Sequence, residues 1–215
     1  MSGLILSQDA RDSNYKFETV ETAPFSSKEW WADGWQGNQG NTPHCGAYSW
    51  MHAISDGPVF QKTIVTNPLM KPKQFYDLCK DIDELKGEGT TLHATAKVAK
   101  NLGIVSEYRW VNDLDNLVLA LLVHGPVIAG TNWYQGMSAP ENGKMKIKGS
   151  MTGGHAYVIN GVDVNKKLFR IKNSYGKLWG KNGHAYLSFS DMERLIEEKG
   201  LFLVPFIQNV EKIPH

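Results

Sequence analysis

Apolar positions recur with a helical period in the first part of the chain and with a strand period in the last. Ala47, Trp50, Met51 and Ile54 follow Cys45 at the steps that line one face of a helix. Pro43 favours a helix start just ahead of that run, and Asp56-Gly57-Pro58 ends it. Phe75, Leu78, Cys79, Ile82 and Leu85 repeat the spacing and predict a helix over 73–85. A Gly87-Glu88-Gly89 turn then leads to Thr90 or Thr91 as the N-cap of a helix through Leu102, closed by Gly103. Residues 115–124 form a further helix, stopped by Gly125-Pro126.

Beyond that point residues 127–130, 144–148, 155–162, 168–172, 184–189 and 201–206 read as strands, interrupted by one helix over 191–199. Residues 1–44 are polar and turn-rich. They predict an extended segment (1–30) wrapped on the surface, packing by Trp30, Trp31 and Trp35, and a Gly/Asn-rich loop over 37–42. A mainly helical part (about 31–115) followed by a mainly strand part (about 116–215) predicts an α+β fold, with a helical lobe against a sheet lobe in one domain.

Composition narrows the function. Of the 215 residues, 23 are basic and 22 acidic, so the formal net charge of +1 gives no footprint for nucleic acid or an anionic membrane. Lys144, Lys146 and Lys148 alternate with Met145 and Ile147 and read as one exposed strand face. No apolar run approaches a membrane span, and Asp9, Arg11 and Asp12 follow Leu4-Ile5-Leu6 too soon for a secretory signal. Two cysteines do not make a disulfide framework, so a reducing, cytoplasmic setting is expected. The histidines at 52, 93, 124, 184 and 215 lack zinc-ligand spacing and read as surface or satisfied residues. Neither a metal nor a cofactor is expected.

Candidate chemistry centres on the two thiols. Cys79 lies on the apolar face of its helix and reads as an inert packed thiol. Cys45 falls where a helix starts, so unpaired N–H groups and the helix dipole favour its thiolate. A nucleophile of this kind needs a base, an orienting partner for that base and oxyanion donors. His155 follows Gly153-Gly154 and is expected to open a strand. Asn173 ends the next strand, and Gln39 stands six residues before Cys45. By residue type and spacing alone, this assignment is only one arrangement among others.

The flanking residues say more. Asn38-Gln39-Gly40 followed by Cys45-Gly46-Ala47-Tyr48-Ser49 resembles the nucleophile segment of papain-like cysteine peptidases. Gly125-Pro126-Val127, Gly154-His155-Ala156-Tyr157-Val158 with Gly161, and Lys172-Asn173-Ser174-Tyr175-Gly176 with Trp179-Gly180-Lys181-Asn182-Gly183 resemble the family's later blocks, in its order. The lead-in from Asp9 to Tyr15 is similar to that of compact prokaryotic members. The resemblance implies a two-lobe papain fold with a cleft between the lobes. It implies Cys45 as nucleophile, His155 as base then acid, Asn173 as its orienter and Gln39 as oxyanion donor, with Tyr175 and Trp179 shielding the Asn–His bond. It further implies that Gly87, Glu88 and Gly89 supply backbone to an extended peptide, while Thr90, Thr91, Gly130, Gly154, Ala156 and Val204 line the pocket beside it. The implied partners are a peptide or protein substrate and a proteinaceous inhibitor.

The chain departs from the family's pattern in several places. Gly46 and Tyr175 stand where the family carries Trp. His44 precedes the nucleophile and reads as a solvated loop residue. His155 lies 110 residues after Cys45, against about 130–150 residues in papain-like enzymes. The 44 residues ahead of Cys45 are too few for the usual inhibitory prodomain plus the mature N-terminal segment, so either no zymogen step is needed, which Met1 favours, or a prodomain lies outside this sequence. The competing readings are a non-catalytic papain-like binding protein and a related thiol amidase or acyltransferase.

Overall fold

The computed structural model describes residues 3–17, 26–30, 35–58, 71–83 and 86–208; Trp31, Leu85 and His215 lie outside them. Helix α1, Cys45–Asp56, is buried along almost its whole length. Helix α2, Pro72–Ile82, starts on a proline, whose missing N–H costs nothing there, and buries Phe75 and Cys79. Helix α3, Leu92–Asn101, is capped by the Thr91 hydroxyl, which accepts from Ala94 N. Gly103 takes the left-handed turn that follows it, at φ +69°. Helices α4 (Leu114–Val123) and α6 (Phe189–Glu197) are capped by Asp113 and Ser188, and a single turn, α5 (Gln135–Ser138), lies between them.

The strands are β1 (Leu4–Ile5), β2 (Ser27–Glu29), β3 (Thr90–Thr91), β4 (Val105–Val111), β5 (Val127–Tyr134), β6 (Met151–Asp163), β7 (Leu168–Lys172), β8 (His184–Ser188) and β9 (Leu201–Ile207). They join in the order β3-β1-β6-β5-β9-β4, with β2 and β7 also on β6 and β8 on β7. Side chains alternate across this sheet, so its two faces feed two cores. Ile128, Ala156, Val158, Leu201 and Leu203 join α1, α2 and α3 in one. Ala129, Tyr157, Ile159, Phe202 and Val204 join α4 and α6 in the other. This is a mixed α+β architecture of two lobes.

Several elements differ from expectation. Residues 144–148 are not a strand. Met145 is buried and its N–H donates to Tyr186 O, but only isolated bridges tie this stretch down, while Lys144, Lys146 and Lys148 remain exposed. The alternation was real, yet a one-sided face does not require a full ladder. Strand β4 was not expected because Ser106, Glu107 and Arg109 interrupt its apolar pattern. Strand β5 continues four residues past Gly130, and β6 begins at Met151, so His155 is the fifth residue of its strand rather than the first. Helix α6 begins two residues early, at Phe189. The largest difference is at the start of the chain, where Leu4–Ile5 does not wrap the surface but enters the sheet between β3 and β6.

Candidate active site

Cys45 is the first residue of α1, and His44 caps the helix without a side-chain bond. The helix N–H groups are therefore open to the sulfur. Opposite it, β6 carries His155 and Ala156, and β7 ends at Lys172, so the chain delivers Asn173 beside His155. His155 Nε2 lies 2.8 Å from Asn173 Oδ1. Ser174 N–H donates to the same atom at 2.8 Å, which identifies it as the amide oxygen. Since an oxygen there can only accept, Nε2 carries the ring proton. Nδ1 has no hydrogen-bond partner among the described residues.

Gln39 is buried and held at three points. Its backbone N–H donates to Ser174 O at 2.8 Å, its Nε2 donates to Thr42 O at 2.8 Å, and its Oε1 accepts from the Ser174 hydroxyl. These contacts fix which end of the amide is the donor and leave Nε2 its second hydrogen. The loop is braced from below, where Gly37 N–H donates to His52 Nε2 at 3.0 Å and Gln36 Nε2 reaches Asn173 O.

Aromatic rings wall His155. Trp133 lies 4.5 Å from it and Tyr175 4.9 Å, centroid to centroid, and Trp179 meets Tyr175 edge-on at 6.4 Å. Trp133 was not among the expected residues, although extending the period of β5 past Gly130 would have found it. His44 is half-buried on Tyr76, with ring centroids 4.3 Å apart, rather than solvated, and burial lowers its pKa. Gly46 leaves little room, since a Cβ there would sit 3.1 Å from Thr95 Cγ2 and 3.3 Å from Thr90 Oγ1.

The cleft is filled by the chain itself. Leu4 pairs with Thr90 on one side and Gly154 on the other, and Ile5 pairs with Thr91. Thr90 N–H donates to Gly3 O at 2.9 Å. A Cβ on Gly89 would fall 2.3 Å from Gly3 O, and one on Gly130 would fall 2.6 Å from Leu4 Cδ2, so both glycines make room for this strap. Leu4 packs in the core that contains Leu92, Ala156, Leu201 and Leu203. Gly87 and Glu88 are exposed at the rim. Val204 is not brought to the cleft. It faces the other core, and Leu203 takes the cleft side, because one residue of register reverses the face.

Burial shifts the protonation of the pair. Burial raises the Cys45 pKa, although the N–H groups of Ala156, Gly3, Gly46 and Cys45 itself point at the sulfur and oppose the rise. Burial pulls His155 down to about 4, against the hydrogen bond to Asn173. Burial therefore opposes the thiolate–imidazolium form that the helix position alone favours. Cys79 is buried and its pKa is raised by burial and by Asp83, as befits an inert thiol.

The buried imidazoles predict an acid limit to stability. His155 at about 4 and His184 at about 3 lie below the ordinary 6.5, and His52 is also well below it, all three mainly through burial. Between those values and 6.5 the unfolded chain binds more protons than the folded one, so stability is fully present above about pH 6.5 and is lost as pH falls toward 4. The melting temperature should drop across that window, and His155→Gln should flatten the slope. An unchanged slope in that variant would contradict the buried neutral imidazole.

No protein-family model matches the chain, and no curated protein matches it. Solved structures do. Xylellain, a cysteine protease from Xylella fastidiosa, superposes with a TM-score of 0.75 at 18% identity over 97% of both chains. Digestive procathepsin L2 of Tenebrio molitor gives 0.64 at 18% identity, over 95% of this chain and 78% of that one. Procathepsin B of Trypanosoma congolense gives 0.68 at 13% identity, over 96% and 87%. The chain has the two-lobed fold of the papain-like cysteine proteases.

Proposed function

We propose that this protein is a cysteine peptidase that hydrolyses peptide bonds through Cys45, His155 and Asn173, and that its strap, Gly3 to Ile5, keeps the cleft covered at rest. The observation that carries the reading is the His155 Nε2–Asn173 Oδ1 bond, with the sulfur of Cys45 at the helix start against Ala156 N–H.

With the strap displaced by substrate, His155 Nδ1 takes the thiol proton and the Cys45 sulfur attacks the peptide carbonyl carbon. The oxyanion receives hydrogen bonds from Gln39 Nε2 and the Cys45 N–H. His155 returns the proton to the leaving amine, and the C–N bond breaks to give a thioester. His155 then takes a proton from water, whose oxygen attacks the thioester. The carboxylic acid leaves, and the thiol is restored. Asn173 holds the imidazole in the tautomer this requires.

The slot between β3 and β6 accepts extended backbone, which fits a peptide or protein substrate and equally an inhibitor protein that inserts a strand. Both cysteines are free, and no helix among the described residues is long and apolar enough to cross a membrane. A reducing, cytoplasmic setting is part of the reading.

The test is mass spectrometry after brief treatment with a peptidyl epoxide, on wild type, Cys45→Ala and a variant lacking residues 1–6. A single adduct on Cys45, none on Cys79 and the greatest labelling in the shortened chain are expected. A folded, shortened chain that stays unlabelled would mean a retired site and would favour the binding-protein reading.

A further inference from the structure

Below the site lies a buried polar cluster that the mechanism does not use. Asp56 is the last residue of α1, and Lys172 the last of β7. Both side chains are entirely buried, with Lys172 Nζ 2.6 Å from Asp56 Oδ1. The other carboxylate oxygen accepts from Asn160 Nδ2 at 2.8 Å, and Asn160 lies on β6, five residues beyond His155. His184 Nδ1 donates to Asn182 O, so its Nε2 is an acceptor, and it stands 3.5 Å from Asn160 Nδ2.

One carboxylate therefore joins α1 and β6, which carry Cys45 and His155, to the end of β7, which leads into Asn173. It belongs to α1, whose other end bears Cys45. It holds β6, which bears His155, and it holds the residue directly before Asn173. We infer that Asp56 and Lys172 are a positioning pair that fixes where Asn173 stands relative to His155 and Cys45.

Stability is a poor explanation for the pair. Two fully buried charges cost about as much to dehydrate as their attraction returns, and matched apolar replacements are often neutral or stabilising. What an apolar pair cannot supply is a fixed distance and direction between three elements. Asn173 follows Lys172 immediately, so a shift of the Lys172 backbone moves the Asn173 amide with it.

The experiment compares full-length wild type with Asp56→Leu/Lys172→Met and with Asp56→Glu, which keeps the charges but lengthens one side chain by a methylene. Melting temperature, peptide turnover and the NMR signal of the His155 Nε2 proton are measured together. The double variant should melt near wild type while turnover falls about tenfold or more, at little change in KM, and the His155 signal shifts. Asp56→Glu should show the same split and serves if the double variant does not fold. A folded variant with wild-type turnover and an unmoved His155 signal would overturn the inference. The turnover arm rests on the peptidase reading, but the NMR arm needs no substrate. Failure of that reading (no wild-type turnover) is thus distinct from failure of the positioning role (no shift in the variants).

Discussion

Removing residues 1–6 should raise the alkylation rate of Cys45 at neutral pH by about ten- to a hundredfold. Burial of one leucine side chain contributes roughly 2 kcal/mol, or about thirtyfold in occupancy, before any strand hydrogen bonds are counted. Leu4 is that side chain, packed against Leu92 over Gly130. The strap also sets the chemistry. Its Gly3 N–H points at the sulfur, while Gly3 O is taken by Thr90 N–H. A donor faces the nucleophile where a carbonyl carbon would have to be, so the strap occupies the cleft without being attacked. Once it leaves, water reaches both groups, and the burial that raised Cys45 and lowered His155 is relieved. The acid limb of the alkylation profile should then move to lower pH. Leu4→Asp in the full chain should act in the same direction, because a carboxylate cannot stay in that pocket. Rates and profiles unchanged in both variants would show that the strap does not govern access.

The strap was also what the sequence hid best. Leu4-Ile5-Leu6 is a short apolar run with no period, and its two strand residues pair with partners far along the chain. Nothing local distinguishes it from a surface segment. The helices were legible because their periods and caps are local. Thr91 is followed at the right step by Ala94, and Gly103 takes the turn. Residues 168–172 were read at their true limits because Phe169 and Ile171 alternate with Arg170 and Lys172 over a short run. The polar side chains of β4 hid its partnership with β9. The proposed catalytic set could be placed on elements, but its state could not be read. A helix start argues for thiolate, and only the packing shows the sulfur covered. Val204 failed for a related reason. Its strand was expected, but which face met the cleft depended on the register with β5, where Gly130 pairs with Leu201.

Gln39 should carry the second large effect. Gln39→Ala is expected to lower kcat about 10²–10³-fold, the cost of losing one oxyanion donor, with KM little changed. The donor role depends on amide orientation, and Ser174 supplies it. The Ser174 hydroxyl donates to Oε1, so Nε2 must turn toward Thr42 O. This predicts an order among variants. Gln39→Glu keeps the shape but puts an acceptor against Thr42 O and a negative charge where the oxyanion forms, so it should be worse than Gln39→Ala. Ser174→Ala should be milder than either, because the amide remains but can rotate. Alkylation of Cys45 by a small reagent needs no oxyanion donor and should persist in all three, provided the strap is removed in the same chain. Turnover within twofold of wild type for Gln39→Ala would remove Gln39 from the mechanism. It would leave the Cys45 N–H as the donor to be tested next.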